Sequence, residues 1–356
     1  MKHILLTGAT GFVGSALAAT FLASSAKIVA LTRADPSGDR TRTAVRTAAE
    51  GFGINLSDTV LRRNLRVVEV DEHGFAPSLQ ASHLATITDV WHVAADMNLS
   101  TKKLAQTFAT NVGMTTQLYQ HVAALAPKCK RFYYISTAYA VGMDGGEVPE
   151  ELHFGGNCIN PYQVSKRCAE QSLALLSTGS RLPVTIFRPT IVVGHCSTGW
   201  TVRNGFGLYM FAEALKLVAA SSQTSFNMPL IRTSRPDLLP VDQLVEEAFA
   251  LTMRKEIVSG LEIFHCAGGR GISLGDMVIE IGRLCGIAVT FAHPETELES
   301  TIAAAMEPRM PFANTDWQFD RSKLDKTIGL SRTAPSIGHL ELGRLMRWYL
   351  AETRSN

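Results

Sequence analysis

The sequence predicts an α/β fold, a doubly wound parallel sheet with a smaller, partly helical domain attached. Three observations predict it. Short apolar runs of buried-strand type alternate with helix-patterned segments; a glycine cluster separates the first run from the first helix; and no internal repeat or low-complexity linker breaks the rhythm. The runs are residues 4–6, 28–31, 67–70, 90–93, 132–135 and 184–187, and 261–266 resembles a further strand.

The first run, Ile4-Leu5-Leu6, suits a strand buried on both faces. Gly8, Gly11 and Gly14 follow, then an alanine-rich helix pattern to about residue 23. Strand, glycine turn and helix together set a dinucleotide pyrophosphate on a helix N-terminus, which makes the sheet Rossmann-type. Gly8 allows the sharp turn, Gly11 the approach of backbone N–H groups, and Gly14 close packing of helix on strand. The spacing is G-x-x-G-x-x-G, not G-x-G-x-x-G, and the expected contacts are Gly8, Thr10, Gly11, Phe12, Val13 and Gly14.

The second strand ends in Leu31-Thr32-Arg33, with Arg40 and Arg42 close behind. A carboxylate there would bind the ribose hydroxyls of NAD, whereas arginine accommodates the 2′-phosphate of NADP. No acid occupies the strand terminus, so NADP(H) is the expected cofactor, with Arg33 and Arg42 as its phosphate partners. After the third strand, Asp71-Glu72 are candidates for the adenine side and equally for plain surface charge. The fourth strand leads into Ala94-Ala95, whose small side chains let backbone lie against a cofactor ribose; His92 reads as structural. Asn111 lies inside a helix pattern, where it either faces solvent or holds a turn or a water.

The fifth strand ends in two hydroxyls, Ser136 and Thr137, and a later helix starts at Asn160-Pro161. On that helix Tyr162 and Lys166 are four apart and share a face. An ammonium beside a phenol lowers its pKa from about 10, so Tyr162 is expected to exchange protons near neutral pH. A hydroxyl from Thr137 or Ser136 would hold the substrate oxygen. Y-x-x-x-K alone is ordinary amphipathic spacing; its position after a cofactor loop and a hydroxyl-ended strand makes it catalytic.

Past residue 194 the pattern loosens. Residues 199–204 and 221–236 are loop-rich, and 238–253 reads as strand then helix. Trp200, Phe206, Tyr209, Met210, Phe211, Phe226 and Met228 read as core more than as pocket. The stretch 206–220 is apolar but too short to span a bilayer, and it carries Glu213 and Lys216. With 46% hydrophobic and 19% charged residues the chain is a folded one. A net charge of +2 without a basic run gives no reason to expect nucleic acid. Six cysteines lack any metal-ligand spacing, so no metal is expected. They read as reduced thiols, and with a strand beginning almost at Met1 the expectation is a cytoplasmic protein with no leader.

TGATGFVG, ISTAYAVG, Y-Q-V-S-K and FRPTIVVG together resemble the extended short-chain dehydrogenase/reductase superfamily. Over nearly the whole chain the resemblance is to its thioester reductase and fatty acyl-CoA reductase (male sterility) branch. It implies a catalytic set of Thr137, Tyr162 and Lys166, with Ser136 as neighbour. It also implies a cofactor-side role for Asn111, here in Asn-Val-Gly-Met-Thr against the family's N-V-x-G-T. Leu31-Thr32-Arg33 is similar to the branch's L-V-R NADP signature, the segment from Val193 to Gly199 to its V-V-G-x-S-x-T-G loop, and Leu239-Pro240-Val241-Asp242 to its P-V-D motif. Two departures stand out: Val70-Asp71 replaces G-D, and the loop's usual serine is displaced or replaced by Cys196.

The resemblance further implies an NADP-binding domain of residues 1–194 and 237–268 and a substrate domain of 195–236 and 269–356. The implied reaction is NADPH-dependent reduction of an acyl thioester, on CoA or on the phosphopantetheine arm of a carrier protein, to an aldehyde or onward to an alcohol. Because the 356 residues hold no adenylation or carrier domain, action in trans is expected. The site is then expected to be an elongated channel between the sheet's carboxyl edge and residues 195–236. Nucleotide-sugar epimerases and dehydratases are the alternative; they resemble R-x-x-N-x-x-G, and here Ile191 takes the place of that Asn. A non-catalytic dinucleotide sensor would be expected to lose Tyr162 or Lys166, and this chain keeps both.

Overall fold

The computed structural model describes all residues except 72–73, 76–78, 203–206, 222, 257–258, 333 and 355–356, so Glu72 and Phe206 lie outside the described residues. Seven strands form one sheet: β1 (His3–Thr7), β2 (Lys27–Thr32), β3 (Leu65–Glu69), β4 (Asp89–His92), β5 (Arg131–Ile135), β6 (Val184–Pro189) and β7 (Leu261–Cys266). Their order is β3-β2-β1-β4-β5-β6-β7, and every pairing is parallel.

Strand alternation accounts for the continuous apolar runs. Ile4 and Leu6 join the core under the Phe12–Ala23 and Val241–Met253 helices, while Leu5 joins the opposite core with Leu118, Tyr119 and Leu173. All three are fully buried, each burial stabilising by roughly 1.5–3 kcal/mol. Strand order reverses between β1 and β4, and ligands bind outside the carboxyl ends at such a switch point. The loops after β1 and β4 meet there. Thr7 Oγ1 accepts from the amides of Val93 and Ala94, each at 3.0 Å.

A separate core gathers Val193, Phe211, Leu215, Phe226, Met277, Ile281 and Leu345. Three two-stranded pairs border it or link it to the sheet: Ile191–Val193 with Leu238–Pro240, Ser225–Asn227 with Ala288–Thr290, and Gly146–Val148 with Trp317–Phe319. The helix expected around Asn111 is interrupted. A π-turn, Ala109–Met114, lies between the helices Leu104–Phe108 and Thr115–Leu125. Among the described residues no helix is long and apolar enough to cross a membrane.

Candidate active site

A cavity of about 780 Å³ runs along the carboxyl ends of β1, β2, β4, β5 and β6 and into the second core. Of the residues expected at the cofactor and the chemistry, it brings together Gly8, Thr10, Gly11, Phe12, Val13, Gly14, Arg33, Ala94, Thr137, Tyr162 and Lys166. Arg42, Asp71 and Asn111 are not in its lining.

The glycine loop is steric in construction. Gly8 has φ +74°, and a Cβ there would come within 2.9 Å of the Ala94 amide nitrogen. A Cβ on Gly14 would lie 2.0 Å from the Gly8 carbonyl oxygen, so helix and loop pack at a distance only glycine permits. On Gly11 it would meet nothing nearer than that oxygen at 3.4 Å, which leaves its cavity side open. The Phe12–Ala23 helix starts with no side-chain cap and no acid in its first turn, so its N-terminus keeps its affinity for an anion. This cradle fits a pyrophosphate.

At the end of β2 the nearby carboxylates are already engaged: Glu69, which pairs with Thr32 across the sheet, accepts from the Asp35 amide at 3.0 Å. Asp35 is buried and accepts from the Thr41 hydroxyl (2.6 Å), the Thr41 amide (2.9 Å) and the Arg40 amide (3.2 Å). It does not line the cavity; Arg33, Ala34 and Arg40 do. Arg40 donates to the Arg33 carbonyl, and Arg42 turns away to the Ser37 carbonyl and to Asp39 at 3.1 Å. Two residues apart on the Asp39–Gly51 helix, Arg40 and Arg42 face different ways, and Arg40 is the one at the cavity. Asp71 is exposed and accepts from the Gly74 amide at 3.0 Å; β3 has already ended at Glu69.

Asn111 braces the wall from behind. Its Oδ1 accepts from the Asp96 amide (2.8 Å), and its Nδ2 donates to the Asp96 carbonyl and to Ser165 Oγ (both 2.9 Å). The helical asparagine thus holds a turn, and through Ser165 it fixes the helix bearing Tyr162 and Lys166. His92 is structural. Its Nδ1 meets Thr7 Oγ1 at 2.7 Å and its Nε2 meets Thr115 Oγ1 at 2.9 Å, and burial pushes it down to about 3. Since Thr7 Oγ1 already accepts two amides, its proton goes to Nδ1, leaving Nε2 as the donor to Thr115.

Asn160 caps the Pro161–Thr178 helix by accepting from the Gln163 amide at 2.9 Å, with Pro161 in the first turn. Lys166 is fully buried; its amine donates to the Ile135 carbonyl at 2.6 Å and lies 4.2 Å from the centre of the Tyr134 ring. Burial lowers it to about 7, with the Glu170 carboxylate acting in the opposite direction. The expected depression of Tyr162 by Lys166 is not found. Burial pushes the phenol up to about 12, and the Thr137 hydroxyl is what draws it back down. The amine is anchored on β5 instead of on the phenol, so Tyr162 keeps its proton at neutral pH. Thr137 is buried and accepts from the Tyr139 amide at 3.3 Å. Among the described residues, Ser136 Oγ and Thr32 Oγ1 are buried at the cavity with no hydrogen-bond partner, fitting a site whose polar walls serve a ligand.

Asp242 holds the loop after β6. Its carboxylate accepts from the Cys196 amide (2.9 Å) and thiol (2.8 Å). Tyr209, Met210 and Phe211 line the cavity, whereas Trp200, Phe226 and Met228 are buried in the cores. None of the six cysteines is in a disulfide.

Sheet order, glycine cradle and a hydroxyl–tyrosine–lysine group at the carboxyl edge define a nicotinamide-dinucleotide protein of the extended short-chain dehydrogenase/reductase type. The chain belongs to the male sterility protein family, whose model matches residues 6–248. It is 31% identical over 216 residues to an isonitrile lipopeptide synthase of Streptomyces coeruleorubidus, covering 57% of this chain and 14% of that protein. It is 24% identical over 311 residues to fatty acyl-CoA reductase 1 of Xenopus laevis, covering 75% of this chain and 58% of the relative. The chain therefore spans less than two thirds of either relative's length. The terminal R domain from the myxalamid PKS-NRPS pathway shares the fold, with TM-score 0.78, 22% identity and coverage of 99% of this chain and 91% of that one. So does UDP-glucuronic acid 4-epimerase of Bacillus cereus in complex with UDP-glucuronic acid and NAD, with TM-score 0.70, 19% identity and 99% of both chains covered.

Proposed function

We propose that this chain is an NADPH-dependent reductase of acyl thioesters, acting in trans on an acyl-CoA or on the phosphopantetheine arm of a carrier protein. The cavity carries the reading. Beyond Tyr162 and Thr137 its lining is mainly apolar (Phe211, Leu238, Met277, Phe312), with Thr190, Thr201 and Arg309 set among those side chains, and Ile191 offers no bond to the diphosphate of a sugar nucleotide. A thin apolar chain suits such an arm better than a sugar does. The division into dinucleotide and substrate domains near residues 194, 237 and 268 is part of this reading.

NADPH, when bound, supplies a hydride to the thioester carbonyl carbon. The chain's own residues manage the oxygen and the proton. The Gly8–Gly14 cradle and Arg33, with Arg40, hold the phosphates; Thr137 and Ser136 hold the carbonyl oxygen as it gains charge. Tyr162 enters protonated, its phenol held at about 12, and donates to that oxygen. Lys166 keeps the Tyr162 face of the helix locked to β5 through Ile135. Loss of the thiol then leaves the aldehyde, and a second hydride and proton give the alcohol. Cleavage of the thioester releases one thiol for the first NADPH consumed.

The test is product analysis with NADPH and a panel of acyl-CoA and acyl-carrier thioesters. Aldehyde or alcohol together with free thiol from at least one of them is expected. Absence of thiol from every thioester overturns the proposal.

A further inference from the structure

We propose that His195, Cys196 and Asp242 form a zinc site, outside the cavity, that fastens the loop after Ile191–Val193 to the start of the Val241–Met253 helix. One donor atom from each, an imidazole nitrogen, a thiol sulfur and a carboxylate oxygen, lies within 4.8 Å of the other two, and no other such trio occurs among the described residues. The set joins residues 46 apart in sequence, so no local spacing marks it. None of the three lines the cavity, and the proposed reaction uses none of them.

Asp242 Oδ2 is the shared point: Cys196 Sγ lies 2.8 Å from it and His195 Nδ1 3.9 Å. Donors around a tetrahedral zinc ion stand roughly 3.3–3.8 Å apart, so the first separation must open and the second close, each by about 1 Å or less. The imidazole already holds the tautomer that ligation through Nδ1 requires. Nδ1 accepts from the amides of Ser197 (3.2 Å) and Thr198 (3.3 Å), which leaves the hydrogen on Nε2. An ion at that lone pair displaces these two long bonds. The thiol proton, donated to Asp242 in the metal-free protein, leaves to the buffer as the sulfur–zinc bond forms, and thiolate and carboxylate together balance the dipositive charge.

Neighbouring groups hold the trio in place. Asp242 Oδ1 accepts from the Cys196 amide (2.9 Å), and Arg344 donates to the Cys196 carbonyl. Thr198 Oγ1 donates to the Gly51 carbonyl (2.7 Å), and the Phe52 and His195 rings meet edge-on at 4.7 Å. All three side chains are half-buried, so water reaches the fourth position. Sulfur and nitrogen donors beside one oxygen select zinc over calcium or magnesium, which take oxygen ligands.

The test uses the tag-free, 356-residue chain, treated with chelator and titrated with zinc sulfate against a chromophoric zinc indicator. One zinc ion per chain is expected, with a dissociation constant below about 10 μM. Cys196→Ser keeps a donor for Asp242, so a loop held by that hydrogen bond alone would be unaffected, whereas zinc binding should weaken roughly 100-fold. His195→Gln should do the same, and Cys158→Ser, a thiol outside the trio, should bind as wild type does. Cobalt(II) in wild type should give the visible bands of a tetrahedral ion and a thiolate charge-transfer band that Cys196→Ser removes. The melting temperature of wild type should rise by about 3–5 °C at a free zinc concentration of about 100 times the dissociation constant, with no rise in Cys196→Ser. Weaker binding by wild type, affinity kept within about twofold in Cys196→Ser or His195→Gln, equal loss in Cys158→Ser, or a cobalt complex without a thiolate band overturns the proposal. The wild-type cobalt spectrum decides even where a variant fails to fold.

Discussion

Between β1 and the Phe12–Ala23 helix the cavity is walled by backbone, whereas on the far side it is walled by the side chains of Phe211, Met277 and Phe312. The near wall tolerates almost no addition: a single Cβ on Gly14 would sit 2.0 Å from a carbonyl oxygen. The far wall is flexible in kind, since methionine and phenylalanine repack with modest cost. On the function proposed above, the near wall holds the dinucleotide and the far wall the substrate. Changes to the near wall should therefore cost cofactor binding, changes to the far wall substrate choice, and changes to the residues between them turnover alone.

The largest effect is expected between the walls. Tyr162→Phe keeps the ring and removes the proton donor, so turnover should fall by roughly 10²–10⁴ with NADPH affinity within about twofold, measured by steady-state rates and cofactor titration. Near-normal rates would remove Tyr162 from the chemistry. Next comes Gly14→Ala, which must shift backbone and should weaken NADPH about 100-fold or abolish binding. Phe312→Leu on the far wall should leave NADPH affinity within about twofold in the same titration. Equal losses from the two would erase the contrast between the walls.

Arg33→Ala sharpens it further. With Asp35 engaged by Thr41, discrimination for NADPH falls to Arg33 and Arg40, and losing Arg33 should weaken NADPH by roughly 10–100-fold while leaving NADH unchanged. Equal NADPH and NADH affinities in the unmutated protein would contradict it. The smallest effect concerns Lys166, whose buried amine is lowered from 10.5 to about 7. Across that interval the unfolded chain binds a proton that the fold does not, so stability rises with pH; below it both states are protonated. The melting temperature of wild type should gain on that of Lys166→Met as pH is raised from 7 to 10, and parallel curves would contradict this.

The near wall was also the legible one. Buried parallel strands write themselves as unbroken apolar runs, and all seven were readable to within two or three residues. Gly8 and Gly14 were readable because steric necessity leaves one residue type. What escaped depended on orientation and not on composition. Arg40 and Arg42 look alike in sequence, and only the helix phase turns one to the cavity and the other to Asp39. Asp71 looked like an adenine contact because the turn that carries it past the end of β3 leaves no signature. Asn111 did announce something, an amide inside a helix, but its partners Asp96 and Ser165 are distant in sequence. Lys166 was matched to Tyr162 by spacing, whereas its amine prefers a strand carbonyl that no pattern marks.

The central claim is that one cavity brings a hydride donor and a thioester carbonyl to the same hydroxyl, tyrosine and lysine. It is tested most directly by following deuterium from NADPH labelled at the transferable C4 position into product during thioester turnover. The account predicts one deuterium on the aldehyde carbon and one free thiol for each of the first NADPH molecules consumed, both lost in Tyr162→Phe. Unlabelled product with no thiol released, alongside conversion of a nucleotide sugar without net NADPH consumption, would contradict it.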